Sequence, residues 1–360
     1  MRKKTITVLL LAGALLLSGC STPSPLGSRL FAENVGIDGT ENGIMLSMNT
    51  YLADLQGDSE NGGFQSQGGV SVIEAMEKTA RNTGREPYLP HNCALVIGRA
   101  AAEKGVGGVL RFFTEYNGCR GGVPLFVADG TAAEVLQCVA QSERLDARAL
   151  GALADEERLA GRTVCTPLYR AVGAGINGTR DLCVPMLAVK ENEVTVTGAA
   201  VLRDGQLAAQ LNGNQTVGVQ LIAGELQQTL VYCEVSGYGR VTLAVQVEKS
   251  AVQITEQANV GCMFVLQAAC TAKVLECDFL PPPQDTLLQQ RLREACAAQL
   301  AAWAQAAARR SFAVGTDPFG LGEQLRAQAP DRWKALSDSW RNVLQHSSLD
   351  AAVTVHIKNA

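Results

Sequence analysis

The residue best placed to undergo chemistry is Cys20, because of what precedes it. Arg2, Lys3 and Lys4 lead into an apolar run from Ile6 to Leu17, and Leu17-Ser18-Gly19 runs directly into Cys20. A basic start, a short apolar stretch and small residues before a cut site make an export signal. A cysteine just after such a site is the bacterial lipoprotein pattern, in which diacylglycerol is attached to the thiol and the chain is cut before it. The run is too short to span a bilayer, which takes about 20 apolar residues. Residues 1–19 are therefore expected to be removed, and Cys20 to hold the chain to the outer face of a lipid bilayer.

The other chemistry-bearing residues are scattered. Cys93, Cys119, Cys138, Cys165, Cys183, Cys233, Cys262, Cys270, Cys277 and Cys296 form no C-x-x-C pair, and with three histidines zinc-type spacing is absent. An even number outside a membrane fits disulfides. Several, however, lie on apolar faces, where cysteine acts as a small hydrophobe, so mostly free thiols are expected. His91, in Tyr88-Leu89-Pro90-His91, would need a positioned partner and a nucleophile to catalyse. There is no G-x-S-x-G elbow and no cysteine–histidine signature, so His91 reads as structural or exposed. His346 and His356 read as solvated.

Gly107-Gly108 and Gly121-Gly122 match neither phosphate-binding glycine pattern and read as turn and packing positions. Glu33, Asp38 and Glu41 surround an expected hairpin and read as solvated charge. Trp303, Trp333 and Trp340 fall on helical apolar stripes and read as core. No catalytic residue, metal or cofactor is expected.

These residues must be positioned by a chain of ordinary globular composition. Removing residues 1–19 from 360 leaves 341, enough for two or three domains. Hydrophobic residues make up 47% and charged residues 18%, so a core can form, and a net charge of −4 offers no basic footprint for nucleic acid. No second apolar run reaches membrane-spanning length. Residues 21–29, STPSPLGSR, read as a tether that reaches only about 30 Å when extended.

Beyond the tether, strands are expected at Phe31–Asp38 and through Ile44, Leu46 and Met48, with turn residues between. Residues 57–69, GDSENGGFQSQGG, read as a polar loop. Helices are expected through Val70–Ala80, Val106–Phe113, Thr131–Cys138 and Leu145–Leu159, and strands at Leu95–Ile97 and Val123–Ala128. A helical piece starting at Pro167 should break at Gly173–Gly178. From Val184 the pattern turns to strands, with a turn at Asp204-Gly205. The clearest strand is 262–274, where Cys262, Phe264, Leu266, Ala268, Cys270, Ala272 and Val274 share one face.

A long amphipathic helix follows from Thr286 to Arg310, with Leu288, Leu292, Cys296, Leu300, Trp303 and Ala307 on one stripe. A short helix near Phe319–Ala329 precedes one that Asp331 should cap, and Ala351, Val353, Val355 and Ile357 alternate in a terminal strand. Alternating helices and strands, then strands, helices and a returning strand, give an α+β protein. The expected division is residues 30–192, an N-terminal α/β region that can itself split in two, and residues 193–360, an antiparallel sheet with a long helix and a returning strand.

The ordered motifs resemble the C subunits of spore germination nutrient receptors, the Ger(x)C lipoproteins. Asn34-Val35-Gly36-Ile37-Asp38 looks like that family's first strand. Tyr88-Leu89-Pro90-His91, then Leu95-Val96-Ile97-Gly98, then Gly105 through Phe112-Phe113 follow in the family's order. Leu125-Phe126-Val127-Ala128-Asp129-Gly130 and Ala133-Glu134-Val135-Leu136 continue it. Gly198-Ala199-Ala200-Val201 fits the start of the C-terminal region. Asp317-Pro318-Phe319-Gly320-Leu321-Gly322, Pro330, Trp333 and Trp340 match its end.

The chain departs from the family twice. Ser21-Thr22-Pro23 replaces a Trp-Asp and charged segment, and Arg99 stands where an acidic residue is common. The resemblance implies three small mixed α/β domains and no enzymatic activity. It also implies a lipoprotein of the spore inner membrane that assembles with two integral membrane subunits, of A and B type, in nutrient-triggered germination. On it, Tyr88, His91, Gly98, Phe112, Phe113, Gly130, Glu134, Asp317, Phe319, Gly320, Trp333 and Trp340 are structural or interaction positions. The competing reading is a solute-binding lipoprotein of a transporter, which needs two lobes around a cleft.

Overall fold

The computed structural model describes residues 28–53, 59–116, 119–142, 145–146, 148–177, 179–256, 261–278 and 286–358. The export signal, Cys20 and the tether up to residue 27 lie outside the described residues.

The first half opens with β1 (Arg29–Gly39), β2 (Ile44–Ala53) and β3 (Ser59–Gly69), followed by α1 (Val72–Thr83) and the short β4 (Glu86–Tyr88). Next come β5 (Ala94–Ile97), α2 (Arg99–Lys104), α3 (Gly107–Arg111), a π-helical turn at Phe112–Tyr116 and β6 (Leu125–Ala128). Then follow α4 (Ala132–Gln141), α5 (Ala149–Leu159), α6 (Leu168–Asn177), β7 (Leu182–Lys190), β8 (Glu193–Arg203) and β9 (Gln206–Asn212).

These strands form one mixed sheet in the order β3-β2-β1-β5-β6-β7-β8-β9, with β4 also paired to β1. Its centre, β1-β5-β6-β7, is parallel. Every residue of β5 and β6 is buried, as strands covered on both faces must be. One face packs Val35, Ile37, Leu95 and Leu125 against Ala102, Leu110 and Phe113. The other packs Val96, Phe126 and Ala128 against Val135, Leu136 and Leu150.

After α7 (Gly213–Ala223) comes a second sheet of β10 (Gln228–Val235), β11 (Gly239–Glu256), β12 (Cys262–Cys277) and β13 (Ser348–Ile357), in that order. Between its last two strands lie α8 (Thr286–Phe312), α9 (Leu321–Gln328), α10 (Pro330–Leu336) and α11 (Trp340–Gln345). β10 to β12 are antiparallel, and β13 joins parallel to β12. Phe264, Leu266 and Cys270 meet Leu292, Cys296, Leu300 and Trp303 of α8 in the core, as the alternation and the helical stripe require. The architecture is the expected α+β fold with a long C-terminal helix and a returning strand.

Four local expectations are corrected. Residues 59–69 form β3 rather than a loop, paired with β2 from Ile44↔Gly69 to Ala53↔Ser59 around one bulge. The backbone ladder holds this polar, glycine-rich edge. α6 continues through Gly173 to Asn177 rather than breaking there. Asp331 does not cap α10; Ala329 holds the N-cap position and Pro330 opens the helix, where a missing N–H costs nothing. Asp38 is buried rather than solvated.

The expected boundary at 192/193 falls in the β7–β8 hairpin, whose two strands share the first sheet.

Candidate functional site

The motif positions gather into a few packed clusters. The first surrounds Asp38 at the end of β1. Its carboxylate accepts the backbone N–H groups of Ala132 at 2.7 Å and Ala133 at 2.9 Å, the free donors of the first turn of α4. Thr131 and Glu134 complete the helix start with a reciprocal capping box. Gly98 lies against Asp38, and a Cβ built there would overlap the carboxylate. Gly130 leaves room for the Glu134 carboxylate in the same way. Burial pushes the Asp38 carboxyl up, and the two N–H donors pull it back. Arg99 pairs with the Asp129 carboxylate and donates Nε–H to the Asp129 backbone carbonyl at 2.8 Å.

The second cluster repeats the device with Asp317. Its buried carboxylate accepts the N–H groups of Leu321 at 2.9 Å and Gly322 at 2.7 Å, and the indole N–H of Trp340 at 3.2 Å. Trp333 packs edge-on against Trp340 with centroids 5.3 Å apart. A Cβ on Gly322 would come within 3.0 Å of the Trp333 ring, so glycine admits the indole. Gly320 takes the left-handed conformation, φ 75°, at the N-cap of α9. Phe319 is buried against Phe312, with centroids 5.8 Å apart. Burial raises the Asp317 carboxyl, opposed by its three donors.

The third cluster lies where β1 begins. Phe31 stacks on Tyr51 at 5.0 Å and meets Tyr88 edge-on at 5.3 Å. The Arg29 guanidinium sits 4.4 Å from the Tyr88 ring centre. His91 is exposed and hydrogen-bonds the Tyr51 hydroxyl at 3.1 Å through Nδ1. Phe112 and Phe113 form a separate edge-on pair 5.3 Å apart, with Phe113 fully buried. The motif residues are thus spread over the molecule, each locking its own segment.

A junction that the motifs did not announce ties the first sheet to the C-terminal helices. Asp317 N–H donates to Asp181 Oδ2 at 2.6 Å, and Asp181 N–H donates to the Asp317 carbonyl at 3.0 Å. Arg180 donates to the Pro318 carbonyl at 3.0 Å and pairs with Glu225 at 2.6 Å. Arg203 donates to the Val314 carbonyl at 2.6 Å. Burial, reinforced by the Asp317 charge, pushes Asp181 up to about 6 against the pull of its backbone donor.

Asp38 and Asp181 were missed as structural acceptors because their partners lie far along the chain. Thr131-x-x-Glu134 was the one local signal.

Among the described residues no group of three or more His, Cys, Asp or Glu side chains could hold a metal ion. No helix among them is long and apolar enough to cross a membrane. None of the ten cysteines from Cys93 to Cys296 is joined in a disulfide.

Two family models cover nearly all of this architecture. One, the spore germination protein N-terminal domain, matches residues 24–189. The other, spore germination B3/GerAC like, C-terminal, matches residues 197–360. The chain belongs to the spore germination receptor C-subunit family. No curated protein matches it.

A solved structure, titled as the crystal structure of the GerBC protein, superposes with a TM-score of 0.60 at 16% identity. The match covers 91% of this chain and 97% of that one. At that identity the likeness speaks to the fold.

Proposed function

We propose that this chain is the membrane-anchored, non-catalytic C subunit of a spore germinant receptor, held to the spore inner membrane by lipid on Cys20. It acts by assembling with A- and B-type integral membrane subunits during germination. The observation that carries this reading is the use to which the motif carboxylates are put. Asp38 and Asp317 are filled by backbone and indole donors, so these two carboxylates shape a scaffold and are not free to act as acid or base. The short stretch of chain between Cys20 and β1 keeps the body within about 30 Å of the lipid, so its partners lie in or on the same membrane. The family models end at 189 and resume at 197, close to the proposed division at 192/193, which the first sheet crosses through the β7–β8 hairpin.

The test is co-purification from spore membranes. Wild-type chain should bring down two polytopic subunits, and Cys20→Ala should lose the lipid mass and leave the membrane fraction. Recovery of the wild type as a free lipoprotein counts against assembly, and unchanged retention of Cys20→Ala counts against the anchor.

The second reading, solute binding, is favoured by a cavity of about 460 Å³ lined by Leu110, Arg111, Arg180, Asp181, Leu202 and Asp204. Calorimetric titration of the isolated protein with nutrients separates the two. Tight binding supports the solute reading, and its absence supports the scaffold.

A further inference from the structure

β13 is the end strand of the second sheet, and no strand lies beyond it among the described residues. One hydrogen bond orients its backbone. Lys358 N–H donates to the Ala272 carbonyl at 2.8 Å, and Ala272 stands opposite Ile357 in the parallel register. In a parallel ladder alternate residues turn both backbone groups to the neighbour. The even-numbered residues therefore bond to β12. Leu349, Ala351, Val353, Val355 and Ile357 turn N–H and C=O outward. The Ala351 N–H agrees, because it is met by the side chain of its own neighbour, Asp350, at 2.8 Å. Among the described residues no other side chain or loop bonds to this outward row.

Apart from Asp350, whose side chain meets the Ala351 N–H, the strand carries little that guards an open edge. It holds no proline, and its pairing with β12 runs from Met263↔Ser348 to Ala272↔Ile357 without a bulge. Leu349, Ala351 and Val353 pack at the rim of the core but stay partly exposed. Ser348, Asp350, Ala352, Thr354 and His356 line the solvent face. The opposite end of the other sheet is guarded: β3 is polar and glycine-rich.

We propose that this edge is a self-association site, where a second copy of the chain adds its own β13 antiparallel about a two-fold axis at Val353. The strand's own sequence selects the occupant and the register. Centred on Val353, Leu349 of one copy faces Ile357 of the other, and Ala351 faces Val355. Every outward-facing residue then meets another, and apolar side chains cover the exposed rim. On the solvent face Ala352 meets Thr354, and Asp350 meets His356 twice over, an acidic–imidazole pair at each end. Asp350 exchanges its own backbone donor for that partner, which frees the Ala351 N–H for the Val355 carbonyl of the other copy. A slip of two residues either way leaves an outward-facing residue unmatched. The association joins two four-stranded sheets into one.

Sedimentation velocity of the lipidated chain in detergent, over a dilution series, tests this. The expected result is a monomer–dimer equilibrium that Val353→Pro weakens at least about tenfold. Proline there removes an N–H that β12 does not use, and edge strands accept it on that side, so circular dichroism and melting should stay near wild type. Asp350→Lys should weaken the dimer, and Asp350→Lys combined with His356→Asp should restore it. If Val353→Pro does not fold, the charge exchange decides alone. A chain that is monomeric at every concentration overturns the proposal, as does a dimer indifferent to these substitutions.

Discussion

Asp181 and Asp317 hold each other in both directions: each donates its backbone N–H to the other residue, one to a carbonyl and one to a carboxylate oxygen. This reciprocal pair ties the first strand after α6 to the loop before α9, across 136 positions of sequence. It also keeps two carboxyl groups close together in a buried place.

That closeness makes stability depend on pH. Asp181 titrates near 6 in the folded chain against an ordinary 3.8. The folded state therefore binds the proton more tightly. The contribution from Asp181 is fully present below about 3.8 and is lost as pH rises through about 6. Asp181→Asn keeps an oxygen for the Asp317 N–H and removes the charge. Its melting temperature should exceed that of wild type at neutral pH, with the gap closing as pH falls towards 4. Melts of both proteins across that range check this, and parallel pH profiles would rule it out.

Asp317→Ala leaves two backbone donors and one indole N–H buried without an acceptor. Each unmet donor costs about 1–3 kcal/mol, not additively. The variant should lose at least about 3 kcal/mol in denaturant unfolding, and Asp317→Asn, which keeps one carbonyl oxygen, should lose less. Equal losses would mean that the side-chain volume of Asp317, and not its acceptors, is what matters.

Gly98→Ala should behave as a cap mutation at a distance. The added methyl displaces the Asp38 carboxylate and uncaps α4, at about 1–2 kcal/mol. Adding Asp38→Ala should then cost little more, because both changes break one interaction. Additive losses in the double-mutant cycle would refute the link.

The thiols should differ in reactivity. Burial pushes Cys296 up to about 12 and Cys270 to about 11, and both lie in the core. Cys165 is exposed. An alkylating reagent near neutral pH should label Cys165 in the native protein and reach Cys296 and Cys270 only after denaturation, since the thiolate is the reacting species. Peptide mass mapping reads this directly, and early labelling of Cys296 would contradict the packing.

What could be read from the residues is what burial writes locally. The alternation of β12 and the stripe of α8 each depend on neighbours within a turn or a pleat, and each was legible. The helix α7 was not. Thr216, Val217, Gly218, Val219, Leu221 and Ile222 are all buried, so a helix enclosed on most sides shows no stripe. β3 was missed because polar and glycine residues give no period when a backbone ladder does the holding. The capping role of Asp38 was hidden differently. Asp38 meets α4 from 94 residues away, and no local pattern encodes that meeting.

That distance also governs the order of events when the chain folds. The β1-β2-β3 meander closes over short loops and can form early, whereas the parallel pairing of β1 with β5 and the Asp38 cap wait for long loops to close. Such late contacts add little to the transition state, so their loss shows mainly as faster unfolding. Asp38 is therefore expected to work as a latch, its loss showing in the unfolding rate more than in the folding rate.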